Sequence, residues 1–186
     1  MRRLAFLLLL ASAGACTGAS AAPYHRIDAA QSRIGFVSHQ MGVPVEGRFR
    51  RFDATLNLDL QAAAAARGTL RIDLASVDSG NREADAELQG ADWFDVRQHP
   101  DAQYVLQRLE PQGGGRWRIL GQLELRGVSR PLGCDAKLGD ESAQRALLDG
   151  SCTFKRLDFG VGTGAWGDTS VVANEVTVRF HLVLEP

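Results

Sequence analysis

Val45-Glu46-Gly47-Arg48-Phe49-Arg50-Arg51-Phe52-Asp53-Ala54-Thr55-Leu56-Asn57-Leu58-Asp59-Leu60 is the stretch whose reading decides the fold. Val45, Gly47 and Phe49 alternate with Glu46, Arg48 and Arg50, the period of a half-buried strand. At Arg51 the phase slips, and Phe52, Ala54, Leu56 and Leu58 then alternate with Asp53, Thr55, Asn57 and Asp59. A slip inside one long strand is what a bulge produces, and bulges curve a sheet enough to close it.

Working outward, Tyr24 to Val37 reads as a first strand entered through Asp28 and Ser32, with Ile34 and Phe36 on one face. Gln40 to Pro44 reads as a turn or bulge, since Pro44 argues against the middle of a sheet. Gln61 to Arg67 is alanine-rich and predicts a short loop or helical turn. Leu70, Ile72 and Leu74 then alternate with Arg71 and Asp73. Further strands are predicted over Tyr104 to Leu109, Trp117 to Arg126, Pro131 to Leu138, Leu147 to Arg156 and Val171 to Leu184. That makes about eight strands, linked mostly as hairpins, with no crossover helices between them. The fold class is therefore all-β, an antiparallel barrel or sandwich. A barrel is preferred because the strands are long and bulged, and the last is strong enough to pair with the first.

The alternation stops between Ser76 and Tyr104. A turn cluster, Asp78 to Asn81, leads into the helix-tolerant run Arg82 to Leu88, closed by Gly90. Trp93 and Phe94 follow together, flanked by Asp92 and Asp95, before Pro100 ends the excursion. This pattern suits a helical or looped lid whose aromatics bury in a barrel mouth while the acids stay wet.

Residues 1–22 read as a signal peptide: Arg2 and Arg3, then the apolar run Leu4 to Leu10, then Ala19-Ser20-Ala21 as a cleavage site. Residues 23–186 then form one domain, delivered to the periplasm. A lipidated Cys16 is the second reading, weakened because no large aliphatic residue stands three positions before it. Loss of Arg2 and Arg3 takes the basic count from 21 to 19 against 22 acids, a net charge of −3. With no basic run, nucleic acid is not an expected partner. Cys134 and Cys152 remain in the mature chain, and export permits a bridge between them. If the strands carrying them pair about the loop from Gly139 to Arg145, the two face each other on one surface; two buried thiols are the alternative.

No motif points firmly to catalysis. His25, His39, His99 and His181 are scattered without metal-ligand spacing. The serines lack a nucleophile elbow, and Gly160, Gly162 and Gly164 lack the helix that a dinucleotide site needs. Asp92, Asp95 or His39 could serve as acid or base in an enzyme acting on a lipid, which is the rival reading from another class. What remains is the interior. Its expected lining is Ile34, Phe36 and Phe49, with Leu70 and Ile72, then Ile119 and Leu123, then Phe154, Val178 and Phe180. Trp93, Phe94 and Trp166 are expected to close or shape the mouth. Such a lining favours a hydrocarbon chain over a sugar or nucleotide. The same side chains could instead fill the core, leaving a partner-binding module with the Trp93 loop as its surface.

These residues resemble the YceI-like family of exported, lipocalin-like proteins. The resemblance runs through Tyr24-x-x-Ile27-Asp28, Ser32-x-Ile34-x-Phe36 and Gly47-Arg48-Phe49-x-x-Phe52. It continues in Ser76-Val77-Asp78-Ser79-Gly80, Asp85-x-x-Leu88, Asp92-Trp93-Phe94-Asp95-Val96 and Pro100. Gly121-x-Leu123-x-Leu125-Arg126-Gly127-Val128 and Arg156-x-Asp158-Phe159-Gly160 complete it. The resemblance implies an apolar barrel binding a polyisoprenoid, either an isoprenoid quinone or a prenyl phosphate. It implies carriage or storage, with no reaction and no cofactor beyond the bound lipid. Many members carry Arg-Asp-x-His-Leu where this chain has Ala84-Asp85-Ala86-Glu87-Leu88. That departure favours a neutral, quinone-like head. The Asp92-to-Asp95 version resembles relatives found beside membrane b-type cytochromes, which implies such a cytochrome or another lipid donor as partner.

Overall fold

The computed structural model describes residues 23–139, 142 and 145–186; the expected signal peptide, with Cys16, lies outside the described residues. The strands in chain order are β1 (Arg26–Ile27), β2 (Arg33–Gln40), β3 (Val43–Phe49), β4 (Phe52–Asn57), β5 (Arg67–Asp73) and β6 (Val77–Asp78). After helix α1 (Arg82–Gln89) come β7 (Asp101–Gly113), β8 (Arg116–Leu125), β9 (Val128–Gly139), β10 (Ala146–Lys155) and β11 (Glu175–Glu185).

Neighbouring strands run in the order β4-β5-β7-β8-β9-β10-β11-β2-β3-β6, the last a two-residue strand beside the end of β3. Every pairing is antiparallel. Leaving the short β6 aside, the strands that bound this order, β3 and β4, are consecutive in the chain, joined by Arg50 and Arg51. The backbone itself therefore closes the ring, and counting β3 and β4 as one bent strand gives eight walls.

The slip at Arg51 is a change of partner rather than a bulge within one ladder. Ser76 pins it: Arg50 N–H donates to the Ser76 carbonyl at 3.1 Å, and Arg51 N–H to the Ser76 hydroxyl at 3.0 Å. Up to Phe49 the strand pairs with β2, and from Phe52 it pairs with β5. The register shifts that do occur inside a ladder lie in β7, at Leu106/Arg108 and Pro111/Gly113.

Two further expectations are corrected. Tyr24 to Val37 is not one strand, because the Asp28 carboxylate accepts from the N–H groups of Ala30 and Gln31 and holds a turn there. The first piece instead fills the seam at the far end of the barrel. Tyr24 exchanges two hydrogen bonds with Leu58, both 3.0 Å, while Ile27 pairs with Leu184 of β11. Gln40 to Pro44 is also shorter as a turn than expected. Only Met41 and Gly42 form it, at φ 50° and 79°, and Pro44 lies in β3. Proline is tolerated there because β6 pairs only with Arg48 and Phe49, leaving the outer edge of β3 open at Pro44.

Cys134 and Cys152 pair directly across β9 and β10 and are bridged, with Cα atoms 4.4 Å apart. One apolar cluster, including Tyr24, Leu58, Leu106 and Leu184, occupies the far end of the barrel. A second, including Ile34, Phe49, Phe94 and Phe159, occupies the helix end. Two glycines keep the space between them open. Gly47 lies across from Phe36 and Gly150 across from Phe180. A Cβ would stand 2.3 Å from Phe36 Cζ or 2.4 Å from Phe180 Cζ, so each ring folds flat over a bare backbone instead of reaching into the lumen.

Candidate functional site

The inward faces of the strands enclose a cavity of about 570 Å³. An engineered void left by one truncated leucine is about 150 Å³, so this space is no packing fault. Every lining residue expected from the sequence is on its wall. Ile34, Phe36 and Phe49 come from β2 and β3, Leu70 and Ile72 from β5, and Ile119 and Leu123 from β8. Phe154, Val178 and Phe180 come from β10 and β11, and Trp93, Phe94 and Trp166 from the loops above.

The sequence reading omitted the deeper half of this wall. Leu58, Leu106, Leu109, Trp117, Leu138 and Leu184 also line it. Their signal was present, since Trp117 shares strand parity with Ile119 and Leu138 with Cys134. Phe36, Phe49 and Phe94 form a ladder of tilted rings, with successive centroids 5.7 and 6.0 Å apart.

Helix α1 lies over the helix end of the cavity. Asn81 caps it, its side-chain oxygen accepting from Glu83 N–H at 2.8 Å and Ala84 N–H at 3.2 Å. The Ser79 N–H and hydroxyl both donate to the Asp85 carboxylate at 2.7 Å, tying the lid to the end of β6. None of the helix residues is buried. Glu83, Ala84, Glu87 and Leu88 nevertheless line the cavity mouth. From the opposite loop Trp166 donates its indole N–H to Glu87 Oε1 at 2.8 Å. Its ring packs on Trp93 with centroids 5.6 Å apart.

Arg156, which the sequence reading quoted within a family motif but gave no role at the site, is the largest fully buried side chain among the described residues, at 1% exposure. Its Nε–H donates to the Ala173 carbonyl, Nη1 to those of Val161 and Gly162, and Nη2 to those of Trp166 and Val172. All five donors are thereby used, and among the described residues no carboxylate pairs with it. Burial pulls its pKa below the usual arginine value. The guanidinium lies 5.8 Å from the Trp93 ring centroid, a cation–π contact that fixes the indole from below.

The candidate acids are placed elsewhere. Asp92 and Asp95 do not reach the cavity wall. The Asp92 carbonyl accepts from Gly162 N–H and Thr163 N–H, and that of Asp95 from Gln98 N–H and His99 N–H. His39 does lie on the wall, at the rim. Among the described residues no three metal-ligating side chains converge. Two residues of the wall, Ser38 and Trp93, each carry a polar atom that is buried without a hydrogen-bond partner, the Ser38 hydroxyl and the Trp93 indole N–H.

The strands form an antiparallel barrel around an apolar lumen, roofed by a short helix and two tryptophans. The chain belongs to the YceI-like family, whose domain model matches residues 25–184. A UPF0312 protein of Shewanella baltica is 33% identical over 168 residues, covering 86% of this chain and 87% of that one. The crystal structure of Burkholderia cenocepacia BcnA superposes with a TM-score of 0.81 at 37% identity, covering 84% of this chain and 98% of that one. A polyisoprenoid binding domain from Saccharophagus degradans, implicated in plant cell wall breakdown, shares the fold with a TM-score of 0.71 at 20% identity. That match covers 88% of this chain and 98% of the other.

Proposed function

We propose that the chain is an exported carrier that encloses one isoprenoid lipid and performs no reaction on it. The observation that carries this reading is the cavity of about 570 Å³ with an almost wholly apolar wall. Each methylene taken from water into such a wall is worth about 0.8 kcal/mol, so a long chain is retained without any catalytic group. The name of the Saccharophagus neighbour, a polyisoprenoid binding domain, agrees with this guest. The leader-like residues 1–22 support delivery to the periplasm. No helix among the described residues is long and apolar enough to cross a membrane. A membrane b-type cytochrome or another lipid donor is the natural counterpart of such a carrier.

The rim favours an uncharged, quinone-like head over a prenyl phosphate. Arg156, the buried cation on the wall, has no donor left for a phosphate. Glu83 and Glu87 place carboxylates at the mouth, where an anion is repelled.

Organic extraction of the protein purified from its own host, with mass analysis of the extract, tests this reading. An isoprenoid quinone is expected, and an extract free of isoprenoid overturns it. Asp92→Ala, Asp95→Ala and His39→Ala variants separate carrier from enzyme. If function is lost while lipid is retained, the carrier reading fails.

A further inference from the structure

We propose that the β2–β3 hairpin docks the barrel mouth onto the hydrocarbon surface of a lipid bilayer, with Met41, Val43, Val45 and Val171 as the contact. This rests on the reading of the cavity as a lipid site. Large apolar side chains that are exposed are few among the described residues, and four of the five belong to this patch. Met41 is 78% exposed, Val43 62%, Val45 37% and Val171 38%; the fifth, Val105, lies away on β7. The four are contiguous. Met41 N–H donates to the Val171 carbonyl at 2.7 Å, Gln40 bridges to Val172 and pairs with Val43, and Val45 follows on the same strand face.

The patch continues directly into the cavity. Val45 belongs to both, being exposed at the rim and part of the lining, and His39 and Gln40 beside it also line the mouth. A guest drawn from a membrane would therefore pass from lipid to lumen beside Val43 and Val45, with little of its surface in water, where exposure is most costly. The turn itself breaks a local preference. A two-residue hairpin with both residues at positive φ ordinarily carries Asn-Gly or Asp-Gly. Here Met41 holds the first position at φ 50°, and its long, unbranched side chain is left in solvent. A residue kept against its backbone preference and against water points to a surface that meets something apolar. The four contact side chains are uncharged, so the docking works by apolar insertion and is insensitive to salt.

The test uses flotation with phosphatidylcholine vesicles, with and without an isoprenoid quinone, comparing wild type with a Met41→Asp/Val43→Asp variant. Aspartate accepts the left-handed turn position, so folding is kept, and the disulfide and thermal melt check it. Wild type is expected to float with vesicles at low and high salt. The variant is expected to lose at least tenfold in partition and in quinone uptake from vesicles, while uptake from detergent micelles is unchanged. Wild type that stays off protein-free vesicles overturns the proposal, as does a variant that takes quinone from them as fast as wild type. A dimer in sedimentation that the variant abolishes also overturns it, since the patch would then cover a second copy. Failure of the carrier reading shows separately, as no quinone uptake from micelles by either protein, while vesicle partition is still read without ligand.

Discussion

Arg156 lies under Trp93, with its guanidinium carbon 5.8 Å from the ring centroid and all five of its N–H groups given to backbone carbonyls. One buried cation thus folds the loop from Val161 to Ala173 around itself and sets the floor beneath the lid tryptophan. Replacing it with methionine orphans those carbonyls in a dry site. The expected cost is about 3–5 kcal/mol, a drop of about 2–4 °C in Tm for each kcal/mol in a domain of this size. Thermal and urea unfolding of Arg156→Met check this, and an unfolding midpoint equal to wild type would refute the role.

The bridge between Cys134 and Cys152 closes a segment with a sequence separation of 18. A closed loop of that length stabilises by about 3 kcal/mol through the unfolded chain. Reduction, or the Cys134→Ala/Cys152→Ala pair, should lower the unfolding midpoint by that order. Identical melts with and without reductant would contradict it.

Asp78 gives the fold an acid-sensitive contact. Arg48 and Arg50 both donate to its carboxylate, at 2.8 and 3.0 Å, and hold its pKa at about 2, below the ordinary 3.8. A pKa depressed on folding contributes stability that is fully present above 3.8 and is lost as pH falls through the window down to about 2. Asp78→Asn should flatten that part of the stability-versus-pH curve. A variant curve parallel to wild type between pH 4 and about 2 would remove Asp78 from the account.

The bond from Trp166 to Glu87 joins the lid helix to the opposite loop across the mouth. Trp166→Phe keeps an aromatic ring but removes the donor. Release of an isoprenoid quinone loaded as a probe should quicken from a few-fold to about tenfold, with little change in the association rate. Stopped-flow displacement measures it, and an unchanged release rate would mean that the guest leaves by another route.

Much of this was legible in the alternation of side chains. The parity of Phe36, Phe49, Ile119 and Phe180 placed each on the inner face, because a strand gives its residues only two sides. The lid was legible from Asn81, Gly90 and the paired aromatics. Closure of the ring was only half visible. The slip at Arg51 marked the place, but the partner change depends on Ser76, which the sequence does not connect to it. The turn at Asp28 was likewise hidden, since an apolar face at Ile34 and Phe36 says nothing of which strand Tyr24 will pair with. Arg156 was invisible as a site residue because its partners are main-chain carbonyls, which carry no residue identity. Nor does alternation distinguish a filled core from a hollow one. That depends on Phe36 and Phe180 lying flat over Gly47 and Gly150, a matter of strand register.

Native mass spectrometry of protein purified without detergent from its own host tests the hollow barrel most directly, alongside an Ala54→Trp variant whose indole enters the lumen beside its ladder partner Leu70. The account predicts one isoprenoid-sized adduct per wild-type chain, removable by organic extraction, and none on the folded variant. A wild-type chain that flies at its bare mass, or a variant carrying the same adduct, would contradict it.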